Sequence, residues 1–268
     1  MIDIGANLTH ASFRDDLPDV VARARAAGVT PMVITGTTVE ESREAAAIAE
    51  RFDLYSTVGI HPHHAKDFKD TNELKSLAAH PRVVAIGECG LDFNRNYSPH
   101  PAQEDCFTAQ IGLGLSLRKP LFFHSRDAHP RFAQIVKSMR VESAVAHCFT
   151  GEREELRAYL DLGLYIGITG WICDERRGKH LLELVREIPR DRLLLETDSP
   201  YLTPRDLKPQ PRARRNEPAF LPHILATVAR AVGRPAAEVG AETSRNARTL
   251  FGLHEPGPSA AAQRPLAA

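Results

Sequence analysis

Eight short apolar runs recur along the chain at regular intervals, and this spacing restricts the fold more than any other feature. The runs are almost continuously apolar, which is typical of parallel strands covered on both faces. Stretches with helical spacing lie between them, among them 15–27, 39–51 and 101–118. Eight strand–helix units predict an α/β protein with a (β/α)8 TIM barrel. The apolar runs are residues 1–4, 32–35, 55–60, 83–87, 121–124, 144–147, 164–168 and 192–196.

The chain has 268 residues, and a barrel of this kind commonly needs about 250. We therefore expect residues 1–253 to form a single TIM-barrel catalytic domain. The segment 254–268 is rich in Ala, Pro and Gly and has few large apolar residues, so we predict a disordered tail.

Charge and cysteine content restrict the partners and the compartment. The 34 Lys and Arg balance the 34 Asp and Glu, so no overall field attracts nucleic acid or an anionic membrane. The four cysteines form no CxxC pair, which favours reduced thiols and a cytoplasmic location. We see no export signal and no apolar stretch long enough to span a membrane. A monomer is the simplest expectation.

Polar residues follow several of the apolar runs. Because the carboxyl ends of barrel strands share one rim, these residues should meet in space although they are far apart in sequence. Carboxylates and imidazoles ligate divalent metals. A lone His is more often a satisfied core residue and a lone Asp a helix cap, but four strands ending alike favour a metal site. The rim residues are His61, His63, Glu88, His124, His147 and Asp198.

A divalent ion on a barrel rim indicates hydrolysis, with Asp198 as the candidate base and Glu88 as its partner in catalysis. The residues alone leave amide and phosphate ester open as substrates. A basic loop over 205–215 favours phosphate, because guanidinium groups match phosphate oxygens. Trp171 either packs or stacks a base. The arginines that we expect to contact substrate are Arg126, Arg205, Arg214 and Arg215.

Six longer motifs resemble the TatD family of metal-dependent deoxyribonucleases: GIHPH (59–63), GECGLDFNRN (87–96), FHSRDAH (123–129), AHCFTG (146–151), YIGITGWICDERRG (165–178) and LLLETDSPYLTPRDLKPQPRARRNEP (193–218). The resemblance covers most of the chain. It implies a barrel of the amidohydrolase type with a divalent metal, chiefly Mg with Mn or Zn as alternatives. It also implies 3′–5′ exonuclease activity on single-stranded DNA and RNA, and a context of DNA repair.

The resemblance also implies roles for individual residues. Glu88, His124 and His147 would bind the metal, and Asp198 would bind it and act as the base. His61 and His63 would lie near the substrate phosphate.

The first strand departs from the family pattern. Family members begin D-x-H-x-H, whereas Gly5 and Asn7 occupy the two His positions here. Glycine has no side-chain ligand and an amide oxygen is a weak one, so the number of ions stays open. We expect His at both positions to raise the metal affinity.

Three functional hypotheses follow. The leading one is a metal-dependent exonuclease acting on single-stranded DNA or RNA. The second keeps the barrel and metal but changes the substrate to an ester or amide, such as an aminoacyl-tRNA. The third is a nucleic-acid or metal-binding protein without catalysis, and the retained Asp198 argues against it.

Overall fold

Eight parallel strands form one sheet in strict chain order, each pairing with the next. The computed structural model describes residues 1–211 and 213–254, so the predicted tail, apart from His254, lies outside the described residues. The predicted barrel is confirmed, and each of the eight apolar runs overlaps a strand. The strands are β1 (Asp3–Ala6), β2 (Met32–Ile34), β3 (Tyr55–Val58), β4 (Val83–Asp92), β5 (Leu121–Arg126), β6 (Ala144–Ala146), β7 (Tyr165–Ile168) and β8 (Leu193–Leu195).

Two backbone hydrogen bonds join the last strand to the first. The Asp198 N–H donates to the Gly5 carbonyl at 2.8 Å, and the Asn7 N–H donates to the Ser199 carbonyl at 2.7 Å. Ala6 and Ser199 also form a parallel bridge. The segment that follows β8 is therefore held directly against β1, so the two ends of the sheet meet at the rim.

Helices occupy the connections between strands, and the three predicted from sequence begin and end within two residues of their expected positions. Thr38 caps α2 by accepting a hydrogen bond from the Glu41 N–H. Gly233 ends α8 in the left-handed conformation, with φ of 68°. The helices are α1 (Leu17–Ala26), α2 (Val39–Phe52), α3 (Asn72–Ala78), α4 (His100–Leu117), α5 (His129–Ser138), α6 (Arg153–Asp161), α7 (Leu181–Leu184), α8 (Leu221–Val232) and α9 (Ala236–Phe251).

The apolar side chains form two cores. The larger core lies between the strands and the surrounding helices. The smaller one fills the barrel interior, and the last helix, α9, contributes to it near the first residues of the strands. The residues at the carboxyl ends of the strands, which form the other end of the barrel, pack on top of this interior core. Its members are Ile2, Ile4, Ala85, Phe122, Val145, Leu194, Ala247, Leu250, Phe251 and Leu253.

All four cysteines are free thiols, and Cys89, Cys106 and Cys173 are buried. Within the described part of the chain, no helix combines the length and the apolar character that crossing a membrane requires.

Candidate metal centre

A polar layer lies directly above the apolar interior of the barrel. Phe122, Val145 and Leu194 belong to the interior core. Side chains two residues apart on a strand point to the same face, so His124, His147 and Glu196 project into the barrel one step nearer the rim. Because side chains alternate between the two faces of each strand, the apolar interior core is followed, nearer the rim, by a cluster of ionisable groups.

Glu88 is the centre of this cluster. Its Oε1 lies 2.7 Å from Nε2 of His147 and 2.9 Å from Nδ1 of His124. Nε2 of His61 is 3.3 Å from the same oxygen. Donor atoms of His61, Glu88 and His124 all lie within 4.8 Å of one another, which is close enough to ligate one ion. Three strands and one loop therefore bring an imidazole or a carboxylate to a single point.

The cluster shifts the pKa of each of its members. Burial alone would raise the pKa of Glu88, but the facing imidazoles of His147 and His61 hold it well below its ordinary value. Burial would lower the pKa of His147, but Glu88 and Glu196 hold it well above its usual range. Burial lowers the pKa of His61 to about 4, so His61 is neutral at physiological pH. At physiological pH the Glu88 carboxylate is therefore stabilised chiefly by the charged imidazole of His147 beside it.

Glu196 is a site residue that the sequence analysis missed. It is fully buried, with Oε2 3.3 Å from Nδ1 of His147, and its Oε1 accepts the Cys148 N–H at 2.5 Å. Glu196 therefore fixes the far side of the imidazole whose near side contacts Glu88. The sequence did contain a signal for this residue, because Glu196 directly follows the apolar residues of β8. A Glu at the end of such a strand is rarely buried unless its charge is paired.

Two glycines make room for the Glu196 carboxylate. A Cβ placed on Gly5 would lie 2.4 Å from Glu196 Oε2, and one on Gly167 would lie 2.4 Å from Oε1. Both contacts are far shorter than atoms tolerate. The glycine at the first family His position therefore has a structural reason in this chain, because Glu196 occupies the adjacent space.

Asn7, at the second family His position, contacts the candidate base. Its side-chain amide donates to Asp198 Oδ1 at 2.9 Å. Burial raises the pKa of Asp198 to about 7. Asp198 lies in the loop after β8 and caps no helix, which excludes the capping interpretation. The first strand thus orients the Asp198 carboxylate through a side-chain amide.

Asp92, at the end of β4, holds the other side of the cluster. Its Oδ2 lies 2.7 Å from Nε2 of His63 and 3.5 Å from Nε2 of His124. Burial would raise its pKa, but these two imidazoles keep it well below the ordinary value. Nε2 of His124 is buried and lacks a hydrogen-bond partner among the described residues, since the Asp92 contact is long and poorly aligned. A buried imidazole nitrogen without a partner is what a metal ligand requires.

The predicted arginines divide into two groups. Arg205 and Arg214 line a cavity of about 300 Å³ with Trp171 and Tyr201, next to Pro200 and hence to Asp198. Arg126 ends β5 beside the His124 rim. Arg215 differs, because it is largely buried and forms short ion pairs with Asp16 and Glu217 at 2.7 and 2.8 Å, whereas the more exposed Arg205 lies 3.2 Å from Glu175. For Arg215 the structure favours a structural role over the predicted contact with substrate, since binding phosphate would break these pairs.

The cysteines next to Glu88 and His147 lie in different environments. Cys89 is buried in the outer core, as expected of a packing residue. Cys148 is only half-buried, and its sulfur lies 3.8 Å from the Thr169 hydroxyl. Burial and the charges of Asp198 and Glu196 raise the pKa of the Cys148 thiol well above its ordinary value. Cys148 therefore lies beside the polar layer as a neutral thiol.

The chain matches the family model described as TatD related DNase over residues 2–252. The chain belongs to the TatD family. Two TatD-family relatives, from Klebsiella pneumoniae (strain 342) and Pantoea sp. (strain At-9b), are 54% and 55% identical to it and are both named 3′-5′ ssDNA/RNA exonuclease TatD. Each alignment covers 94% of this chain, and 98% and 100% of the respective relative. The crystal structure of a TatD homologue from Escherichia coli K12 superposes with a TM-score of 0.87 at 27% identity, covering 95% of this chain and 98% of that one.

The TatD family has the barrel of metal-dependent hydrolases, and the donor set of this chain fits a divalent metal. Two imidazoles and a carboxylate converge within ligating distance, and one of the imidazole nitrogens is buried without a partner among the described residues. Both nitrogen and oxygen ligands suit divalent ions.

Proposed function

We propose that this chain is a metal-dependent nuclease that removes nucleotides from the 3′ end of single-stranded DNA and RNA. The observation that carries the proposal is the convergence of three imidazoles on one oxygen of Glu88. Membership of the TatD family supports the reaction class. The names of relatives more than half identical along nearly their whole length support the polarity and the substrate.

Glu88, His124, His147 and Asp198 would hold the ion. When bound, a divalent ion polarises a phosphoryl oxygen and lowers the pKa of a water molecule. The family resemblance favours Mg²⁺, whereas several imidazole ligands also suit Mn²⁺ or Zn²⁺. Glu196 would orient His147 from outside, because it contacts the ring nitrogen on the far side from Glu88.

Asp198 would take the proton of the attacking water. Without a bound ion, burial raises its pKa to about 7, so this carboxylate holds a proton more tightly than an exposed one. A bound cation would lower that value, so the Asn7 amide, which donates to the ionised carboxylate, would then keep the base oriented. His61 and His63 would face the substrate phosphate beside it, with Arg126 nearby.

The surface around the centre suits an unpaired strand. Three large hydrophobic side chains in the described residues are highly exposed, and two of these, Tyr97 and Tyr201, lie at the rim. Tyr97 stands edge-on to His63 at 4.8 Å, and Tyr201 follows Asp198 by three residues. Exposed aromatic rings beside basic groups are the usual contacts for single-stranded nucleic acid. Arg205 and Arg214 in the adjoining cavity would supply the cations for its backbone.

The same proposal extends to the organisation of the protein. We expect residues 1–253 to act as one catalytic domain, as a monomer in the cytoplasm, in a context such as DNA repair.

The test uses oligonucleotides labelled at the 5′ end, in single-stranded and duplex form, with Mg²⁺, Mn²⁺ or Zn²⁺ added to chelator-treated protein. Single strands should shorten stepwise from the 3′ end, and Glu88→Ala and His124→Ala should abolish shortening. His80→Ala is the matched control, because His80 lies just before β4, at the opposite end of the barrel. If no divalent ion supports shortening while an aminoacyl ester is hydrolysed, the nuclease proposal fails and the ester hydrolase replaces it.

A further inference from the structure

A second group of metal-ligating side chains lies outside the Glu88 cluster. Donor atoms of Cys173, Asp206 and His223 all lie within 4.8 Å of one another. We propose that these three residues form a separate Zn²⁺ site, one that ties the basic loop after β8 to helix α8. The site shares no residue with the Glu88 cluster and does not depend on the proposed nuclease activity.

The fold brings the three donors together from three separate segments. Cys173 ends the 3-10 turn Gly170–Cys173 that follows β7. His223 lies in the first turn of α8, and Thr227 lies one turn later, so the two share one face of that helix. The Cys173 thiol donates to the Thr227 hydroxyl at 3.5 Å, which positions the sulfur against the face that carries His223.

Asp206 completes the group from the basic loop. Its Oδ1 lies 2.7 Å from Nε2 of His223. The contact is already as short as a charge-assisted hydrogen bond. An ion between the two would require them to separate by only a few tenths of an ångström, because atoms bound to one Zn²⁺ at about 2.0–2.2 Å lie roughly 3.3 Å apart.

Sulfur, imidazole and carboxylate together select zinc. Thiolate and imidazole are the ligands that Zn²⁺ prefers over Mg²⁺ or Ca²⁺. One thiolate and one carboxylate also neutralise the two positive charges of the ion. Burial raises the pKa of the Cys173 thiol to about 12, so binding would exchange the sulfhydryl proton for the metal and release one proton to water.

A cavity gives an ion access to the site. It has a volume of about 360 Å³, and Cys173, Asp206 and Thr227 line it. The cavity leaves space for water as a fourth ligand, which three protein donors require for tetrahedral coordination. Its walls carry three basic and three acidic side chains, and one of the acidic ones is the ligand Asp206 itself. With the Cys173 thiolate and the Asp206 carboxylate offsetting the two charges of the ion, the other wall residues leave one net positive charge beside the site. The six charged wall residues are Lys179, Arg186, Arg230, Asp174, Glu175 and Asp206.

The position of the site indicates what the ion would do. Asp206 follows Arg205, which lines the neighbouring cavity with Arg214 and Trp171. Ligation of Asp206 would therefore fix the loop that carries these arginines against β7 and α8. The ion would act as a structural clamp on the loop, and Zn²⁺ sites of this kind contribute directly to stability.

Cobalt titration of chelator-treated protein tests the proposal, because a Co²⁺–thiolate bond gives a near-ultraviolet charge-transfer band that nitrogen and oxygen ligands do not. We expect the wild-type protein and Glu88→Ala to show the band and Cys173→Ser to lose it. Cys148→Ser is the matched control and should keep the band, since Cys148 lies beside the first site. Zinc analysis should give one ion fewer per chain in Cys173→Ser and in His223→Gln.

Several outcomes would overturn the proposal. A wild-type protein that binds cobalt without the band would show that no thiolate is a ligand. Loss of the band in Cys148→Ser but not in Cys173→Ser would assign the thiolate to the first site. Should Cys173→Ser fail to fold, Asp206→Asn and His223→Gln must each weaken zinc binding at least tenfold. Unchanged zinc affinity in both would refute the site.

Discussion

Replacing Gly5 with alanine should disturb the metal centre through Glu196. The new Cβ would lie 2.4 Å from Glu196 Oε2, whereas ordinary contacts begin at 3.4 Å, so the carboxylate must retreat by about 1 Å. That oxygen contacts Nδ1 of His147. Overpacking costs about 1–3 kcal/mol and a lost hydrogen bond to a charged group about 1.5–3 kcal/mol, so we expect the free energy of unfolding to fall by about 2.5–6 kcal/mol.

Urea unfolding and calorimetric metal titration of the same samples measure both consequences. Gly5→Ala should also weaken metal binding, because His147 loses its outer support. Gly112→Ala is the matched control, since a Cβ there meets nothing within 4 Å. In the middle of α4 it should stabilise the protein by about 0.5–1 kcal/mol.

A double-mutant cycle identifies the partner of the new methyl group. In a Glu196→Ala background the Gly5→Ala change should cost much less, because the obstructing carboxylate is gone. If Gly5→Ala keeps wild-type stability and metal affinity, Glu196 does not occupy this space and the account of Gly5 is wrong.

The same geometry changes the expectation for restored histidines. An imidazole at position 5 must enter the space that Glu196 fills. The double change Gly5→His and Asn7→His should therefore raise metal affinity only if Glu196 is also replaced by a residue with a shorter side chain.

Three further predictions concern the base, the substrate surface and pH. Asn7→Ala should lower kcat about 10–100-fold with little change in KM, because Asp198 loses a charge-assisted hydrogen bond; single-turnover kinetics equal to wild type would contradict this. Tyr201→Ala should raise KM for single strands about 5–150-fold through lost base stacking, with Tyr201→Phe near wild type and the exposed but distant Leu115→Ala as control. Burial raises the pKa of Asp3 to about 7 from 3.8, so the folded state binds the proton more tightly than the unfolded state. The contribution of Asp3 to the free energy of unfolding should therefore decline by about 4 kcal/mol as pH rises from 4 to 7 and stay level above pH 7. Urea unfolding of Asp3→Asn across this range should lack that decline.

Much of the candidate site was accessible from the sequence because a barrel brings the ends of its strands to one rim. Glu88, His124 and His147 could be grouped from local patterns alone, since each lies at the end of an apolar run. His61 was expected near the substrate phosphate at the same rim, and its contact with Glu88 was not foreseen. Arg205 and Arg214 were expected at the rim and line a cavity there.

The sequence could not predict the contacts that depend on which side chains share a space. Arg215 appeared free in a basic loop, but Asp16, about 200 residues earlier, pairs with it. Cys173, Asp206 and His223 form no recognisable spacing in the sequence, because a turn, a loop and a helix supply one residue each.

The sequence by itself determined the barrel and the polar character of its rim, because the period of the apolar runs and the residues that end them are local properties. The tertiary structure alone decided why Gly5 and Asn7 stand in the first strand. Glu196 needs the space beside Gly5, and Asp198 takes a hydrogen bond from Asn7, a residue 191 positions away. Closure of the barrel brings β1 against the segment that follows β8. The roles of Gly5 and Asn7 therefore depend on residues that no local sequence pattern connects to them.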